Sequence, residues 1–284
     1  MSQTRPDPST LPEWKALHRE ASLVRQIIGT GVTALGRASY GSGFGEYYAA
    51  FFGLSVGVER LMKLILVADY AIENAGALPG QRTVHHYGHD LKKLCERADQ
   101  IAIKHGLSLD FSKPSDPICW AVIDCLDAFA NAAKGRYANF EAIGNPNFDA
   151  ANEPVNKWWS EVVELILDKH YRGRAAERGV QHYAENINTS IGNISSVLFL
   201  DENGRMMTDL QVASERSGHA REAQKYGRFY TLCVVRWLSD IFCELVHQAT
   251  CQNGIDVLFG HDEFFYTYRA KDSFLLTRKL WPLT

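Results

Sequence analysis

Cysteine is scarce in this chain, with six (Cys95, Cys119, Cys125, Cys233, Cys243 and Cys251) among 284 residues. A disulfide-built secreted scaffold needs a denser set, so that class is excluded. Long uncharged apolar runs are also missing. The most apolar stretch, Tyr47 to Ala68, is broken by Glu59, Arg60 and Lys63, which argues against a membrane span. The opening residues, MSQTRPDPSTLPEW, carry no apolar core behind their positive charge and do not read as a secretory signal. There is no excess of one charge either: 30 basic and 33 acidic residues give a net charge of −3. On either side of residue 145 the counts are 15 basic with 15 acidic, then 15 with 18, so neither half is a charged tail. A strongly basic nucleic-acid binder of the histone kind is excluded. No internal repeat or low-complexity tract is found. These absences lead to the expectation of a cytoplasmic protein with no membrane association.

What is present is helical periodicity nearly throughout. Residues 1–12, with Pro6, Pro8 and Pro12, read as a flexible arm. From Trp14 the apolar positions Leu17, Ala21, Val24, Ile28, Val32 and Leu35 repeat at about 3.6 residues, which marks one long amphipathic helix. Glycines between 36 and 45 end it, and a second helix runs from about Glu46 to Asn74, apolar around most of its circumference and therefore central. Residues 76–88 read as a turn-rich connection. Asp90 stands where an N-cap belongs, and Ser115-Asp116-Pro117 is a second start signal, with proline at the first helical position. After Asn145-Pro146 the pattern restarts. Glu153-Pro154 opens a helix to about Arg172, a polar helix or pair of helices covers about 174–199, and Asp201 to Gly204 is a turn. The polar stretch to Gly218 reads as a long loop, 219–251 as the last strong helix, and the aromatic tail 255–282 as a short hairpin or irregular clamp. The fold class expected is all-α: a helical bundle over 13–148 and a helical C-terminal region over 153–284.

Two strings look catalytic, and two clusters look metal-binding. Gly53-Leu54-Ser55-Val56-Gly57 matches the G-x-S-x-G elbow, but that elbow needs a strand before the serine and further strands upstream. Two glycines four apart more simply allow close helix approach. Gly29 to Ala34 matches a degenerate dinucleotide fingerprint, yet the residues before it continue a helical stripe where a strand is required. His85, His86, His89 and Asp90 form one possible metal set, and Cys243, His247 and Cys251 another. In the second, the outer cysteines lie about 12 Å apart along a helix axis, too far to share a zinc ion. The reading assigns no metal and no cofactor.

Three further strings occur in order: Glu59-Arg60-x-x-Lys63 on the second helix, Gly88-His89-Asp90-Leu91 at the start of the third, and Gly135-Arg136-Tyr137-Ala138-Asn139-Phe140-Glu141 at the end of the fourth. Together they resemble the HEPN superfamily of small helical domains, over about residues 45–145. The resemblance implies an RNA-directed protein, either a metal-independent endoribonuclease of toxin or phage-defence type or a binding module that has lost the chemistry. It also implies a homodimer, and an antitoxin or defence-system partner. The family's active helix carries arginine with a histidine four to six residues later, so that a fixed charge holds phosphate while an imidazole moves the proton. Here none of the seven residues after Arg136 is histidine, and His89 or Glu141 is left to take that part. The candidate catalytic residues are therefore Arg136, Glu141 and His89, with Asn139, Tyr137 and Asp90 as ligand contacts. Two basic patches add RNA candidates: Lys169 to Arg178 at a helix end, and Arg221, Lys225 and Arg228 as an i, i+4, i+7 stripe.

Overall fold

Proline placed just after a capping carboxylate sets where several helices begin. The computed structural model describes residues 7–131, 143, 145 and 153–281. Helix α1 spans Pro12–Leu35, α2 Gly45–Glu73, α3 Gln81–His86, α4 Leu91–Lys104 and α5 Pro117–Ala130. Asp90 caps α4 by accepting from the Lys93 amide at 3.0 Å, and Asp116 caps α5 by accepting from the Ile118 amide at 3.1 Å. Helix α6, Pro154–Trp158, passes through a π-turn at Trp159–Val163 into α7, Glu164–His170. Then come α8, Ala175–Ile191, a hairpin of β1, Phe199–Leu200, with β2, Met206–Met207, and the long α9, Leu210–His247. The tail holds 3-10 turns and a short helix α10, Asp272–Thr277. The fold is an all-α bundle, as the periodicity implied.

Helices α2 and α9 form the centre, and α9 packs on α1, α2, α5, α7 and α8. Buried residues before 131 and after 153 belong to one hydrophobic cluster, reaching from Leu17 to Trp281. The two helical regions separated at 148–153 by sequence thus share a core. The tightest crossing is α1 on α2. A Cβ on Gly53 would lie 3.0 Å from Gly31 Cα and 3.1 Å from the Ile27 carbonyl, and one on Gly57 would lie 2.6 Å from Ile28 Cγ1. Both glycine strings that imitated enzyme motifs are the two sides of this crossing.

Three sequence expectations are corrected. The 76–88 connection contains α3. The loop expected up to Gly218 is helical from Leu210, because Asp209 caps it through the Val212 amide at 2.9 Å. Its small residues Ala213, Gly218 and Ala220 are buried, and a Cβ on Gly218 would meet the Tyr171 hydroxyl at 2.7 Å. The helical stretch expected to 199 ends at Ile191 and gives way to a hairpin at 199–207, while the tail takes the irregular one of its two expected forms among the described residues. The hairpin turn is fastened by Asp201, whose Oδ1 accepts from the Asn203 and Arg205 amides at 2.9 and 2.8 Å. The buried Glu202 carboxylate next to it accepts from the Tyr40 amide at 3.1 Å and from Arg216 Nε at 3.0 Å. Among the described residues no helix is long and apolar enough to cross a membrane.

Candidate functional site

Ser55 lies inside α2, buried, with its hydroxyl 3.4 Å from the Phe52 carbonyl. A serine within a continuous helix has no strained turn to present it, so the hydrolase string is packing. Among the described residues no three His, Cys, Asp or Glu side chains are grouped to hold a metal ion.

One turn further along α2, the surroundings change. Glu59 and Lys63 sit four residues apart on one face, and Lys63 Nζ donates to Glu59 Oε1 at 2.7 Å. Gly88, with φ of +78°, turns the chain out of α3 in a conformation that a side chain would strain. That turn, followed by the Asp90 cap, brings His89 against α2, where its Nδ1 lies 2.9 Å from the same Glu59 Oε1. One carboxylate oxygen therefore holds an ammonium and an imidazole. The tautomer that donates Nδ1–H to Glu59 leaves Nε2 with its lone pair, and the His89 side chain is 74% exposed. Among the described residues Nε2 has no hydrogen-bond partner. An imidazole held in this way has one ring nitrogen able to accept a proton from a molecule in solution.

His89 stands between two clefts. One, of about 410 Å³, is lined by Leu17, Glu20, Glu59, Arg60, Lys63 and Val84. The other, of about 230 Å³, is lined by Asp90, Asp127, Ala130 and Asn131. Asp127 also fixes the start of α4 by accepting from the Leu91 amide at 2.7 Å. Arg60 is engaged by Glu20 through two contacts of 2.6 and 2.8 Å. Asp90 spends one oxygen on its cap, and that backbone bond draws its carboxyl below the usual range.

Arg136, Tyr137, Asn139 and Glu141 lie outside the described residues. The described residues on either side of 132–152, Asn131 and Pro154, line one cavity of about 450 Å³ together with Lys92, Asp124, Lys157 and Glu161. Asn131 also lines the cleft that holds His89.

The two basic patches meet at a second place. His170, ending α7, stacks on Tyr226 of α9 with ring centres 3.6 Å apart and planes 5° from parallel. Its Nε2 lies 2.7 Å from the Tyr230 hydroxyl. Lys225 Nζ sits 4.6 Å from the Tyr226 ring centre, and Lys169 Nζ 5.5 Å from that of Tyr230. Burial first, then the positive charge of Lys169 and Arg174, pushes the His170 imidazole down to about 4, so it is neutral at neutral pH. Arg221 and Lys225 are exposed on this side of α9.

Arg228 does not complete their stripe. It is buried, donating from Nη2 to the Leu276 carbonyl at 3.2 Å, and Nη1 fills the space a Cβ on Gly36 would take, 2.6 Å away. Among the described residues it makes no ion pair, and burial pulls its guanidinium below the usual value. It lies where α1 and α10 both end, and the Leu276 carbonyl near the end of α10 accepts its Nη2 proton. The i, i+7 spacing could not show this, because on a helix sunk into the core only part of a polar stripe reaches water.

Reading residues one at a time missed Tyr226 and Tyr230. Glu59 and Lys63 stood out as charges breaking an apolar stretch and as part of a resemblance, not as partners of His89. The i, i+4 interval of Tyr226 and Tyr230, set beside Lys225, was the signal that could have found them. No protein-family model, curated protein or solved structure matches this chain.

Proposed function

We propose that this chain is an HEPN-like RNA-directed protein and a metal-independent endoribonuclease, with His89 as its proton-transfer group. The observation that carries the reading is the 2.9 Å contact of His89 with Glu59, which joins two of the three strings of the resemblance at one point. In the reaction, His89 Nε2 takes the proton of a ribose 2′-hydroxyl. The 2′-oxygen attacks phosphorus, and the bond to the 5′-oxygen breaks, leaving a cyclic phosphate and a 5′-hydroxyl end. Arg136 neutralises the phosphate, Glu141 returns a proton to the leaving oxygen, and Tyr137 and Asn139 contact the nucleotide. Arg221 and Lys225, beside the Tyr226 ring, hold a neighbouring stretch of strand by charge and stacking. The same reading makes the active protein a homodimer in a toxin or phage-defence setting, with an antitoxin or defence-system partner.

A second reading, a binding module without chemistry, is favoured by one observation: Lys63 and Arg60 are already paired with Glu59 and Glu20. Incubation with tRNA and total RNA in chelator separates the two. Cleavage predicts discrete fragments with 5′-hydroxyl ends, reduced at least about 100-fold in His89→Gln and in Arg136→Ala. Intact RNA retained by the wild type supports the binding module.

A further inference from the structure

Cys119, on the first turn of α5, and Cys233, midway along α9, line one cleft of about 440 Å³ with Asp116, Lys169 and Arg236. Cys119 Sγ lies 3.6 Å from the Tyr230 carbonyl. Side chains on a helix lean toward its N-terminus, so residue 233 covers the turn that carries the carbonyl of residue 230. Both thiols therefore face the same cleft, on two packed helices and 114 positions apart in the chain. Both are free thiols; Cys119 is buried and Cys233 partly exposed, with Arg236 Nη2 4.0 Å from its sulfur. Cys233 beside it, foremost, and then burial push the Cys119 thiol far up, so it stays protonated.

The geometry points to Cys119 and Cys233 as an oxidisable pair that closes to an intramolecular disulfide, pinning α5 to α9, when the protein meets a peroxide. Cys233, which solvent reaches, attacks first: as thiolate it takes one peroxide oxygen, the O–O bond breaks, and hydroxide leaves to become water. Cys119 then attacks the Cys233 sulfenic sulfur, the S–O bond breaks, and the Cys119 proton passes to the departing hydroxide, which leaves as a second water. Two thiols and one hydrogen peroxide give one disulfide and two waters. The other cysteines have different neighbours: Cys95 lies against Met62 and Cys125 against Glu161, while Cys243 contacts the Asp262 carbonyl.

The test treats the full chain carrying Cys251→Ser, which removes the exposed thiol, with hydrogen peroxide, followed by alkylation and peptide mapping without reductant. The expected result is a monomer lighter by two hydrogens, with two thiols no longer alkylated and one linked peptide pair joining residues 119 and 233. Its Tm rises by roughly 5 °C or more and falls back on reduction. In Cys119→Ser the same treatment leaves Cys233 as a sulfenic acid that a dimedone probe traps. Cys233 oxidised to sulfinic acid beside a Cys119 that still alkylates, or both thiols unchanged, overturns the proposal. The mapping needs no further variant, so it stands even if Cys119→Ser fails to fold.

Discussion

Helix α2 carries two strings one turn apart whose appearance and surroundings are reversed. Gly53 to Gly57 has the letters of a hydrolase elbow, yet its serine is buried and its glycines press backbone to backbone against α1. Glu59 to Lys63 has the letters of any solvated helix face, yet its carboxylate gathers an ammonium and an imidazole at the wall of a cleft. The difference lies in what each kind of chemistry needs around it. A serine nucleophile requires a strained turn, and α2 passes through Ser55 without one. A histidine base requires only a partner on one ring nitrogen and water on the other, and the turn at Gly88 supplies both.

The comparison breaks most readily at the packing end. Gly53→Val places methyl groups against Gly31 Cα and the Ile27 carbonyl, neither of which can swing aside. The expected loss is about 3 kcal/mol, read from the urea midpoint, whereas Ser55→Ala should change stability by less than about 1 kcal/mol and leave any activity intact. If Ser55→Ala abolished an activity, the string would be a site after all.

A smaller effect sharpens the contrast between the His89 cleft and the aromatic ledge at His170. The folded pKa of His170, about 4, lies below the ordinary histidine value of 6.5. Between these values the unfolded chain binds the proton more readily, so stability is complete above about pH 6.5 and is lost as the pH falls toward 4. Tm measured from pH 7 to 4 should decline less steeply in His170→Phe, which keeps a ring against Tyr226 without the titration. An equal decline in both proteins would contradict a half-buried, neutral His170. Smallest is the contribution of the outer cations. Arg221→Gln or Lys225→Gln should reduce the salt dependence of RNA binding by about 0.7 in log–log slope for each phosphate that the cation neutralises, with little effect on cleavage chemistry.

Much of the bundle was legible because its signals are local. Asp90, Asp116 and Glu153 announce helix starts through their own amide bonds, and the 3.6-residue stripe of α1 needs no tertiary knowledge. The start of α9 was hidden because its first turns are polar on the outside and bury only small residues beneath α8, a surface whose position no local pattern reveals. The meeting of Glu59 and His89 depends on two elements separated by 30 positions and on one glycine with a positive φ, so sequence showed the letters without the contact. Arg228 was misplaced for the same reason: periodicity finds a face, and packing decides whether that face is wet.

The central claim is that the His89–Glu59 pair moves a proton during RNA cleavage. The most direct measurement is the yield of 5′-hydroxyl fragments from tRNA in chelator, compared between the wild type and His89→Gln. The expected result is discrete fragments from the wild type and at least about a 100-fold loss in the variant with its helical fold retained. Equal fragment yields from the two proteins would contradict it.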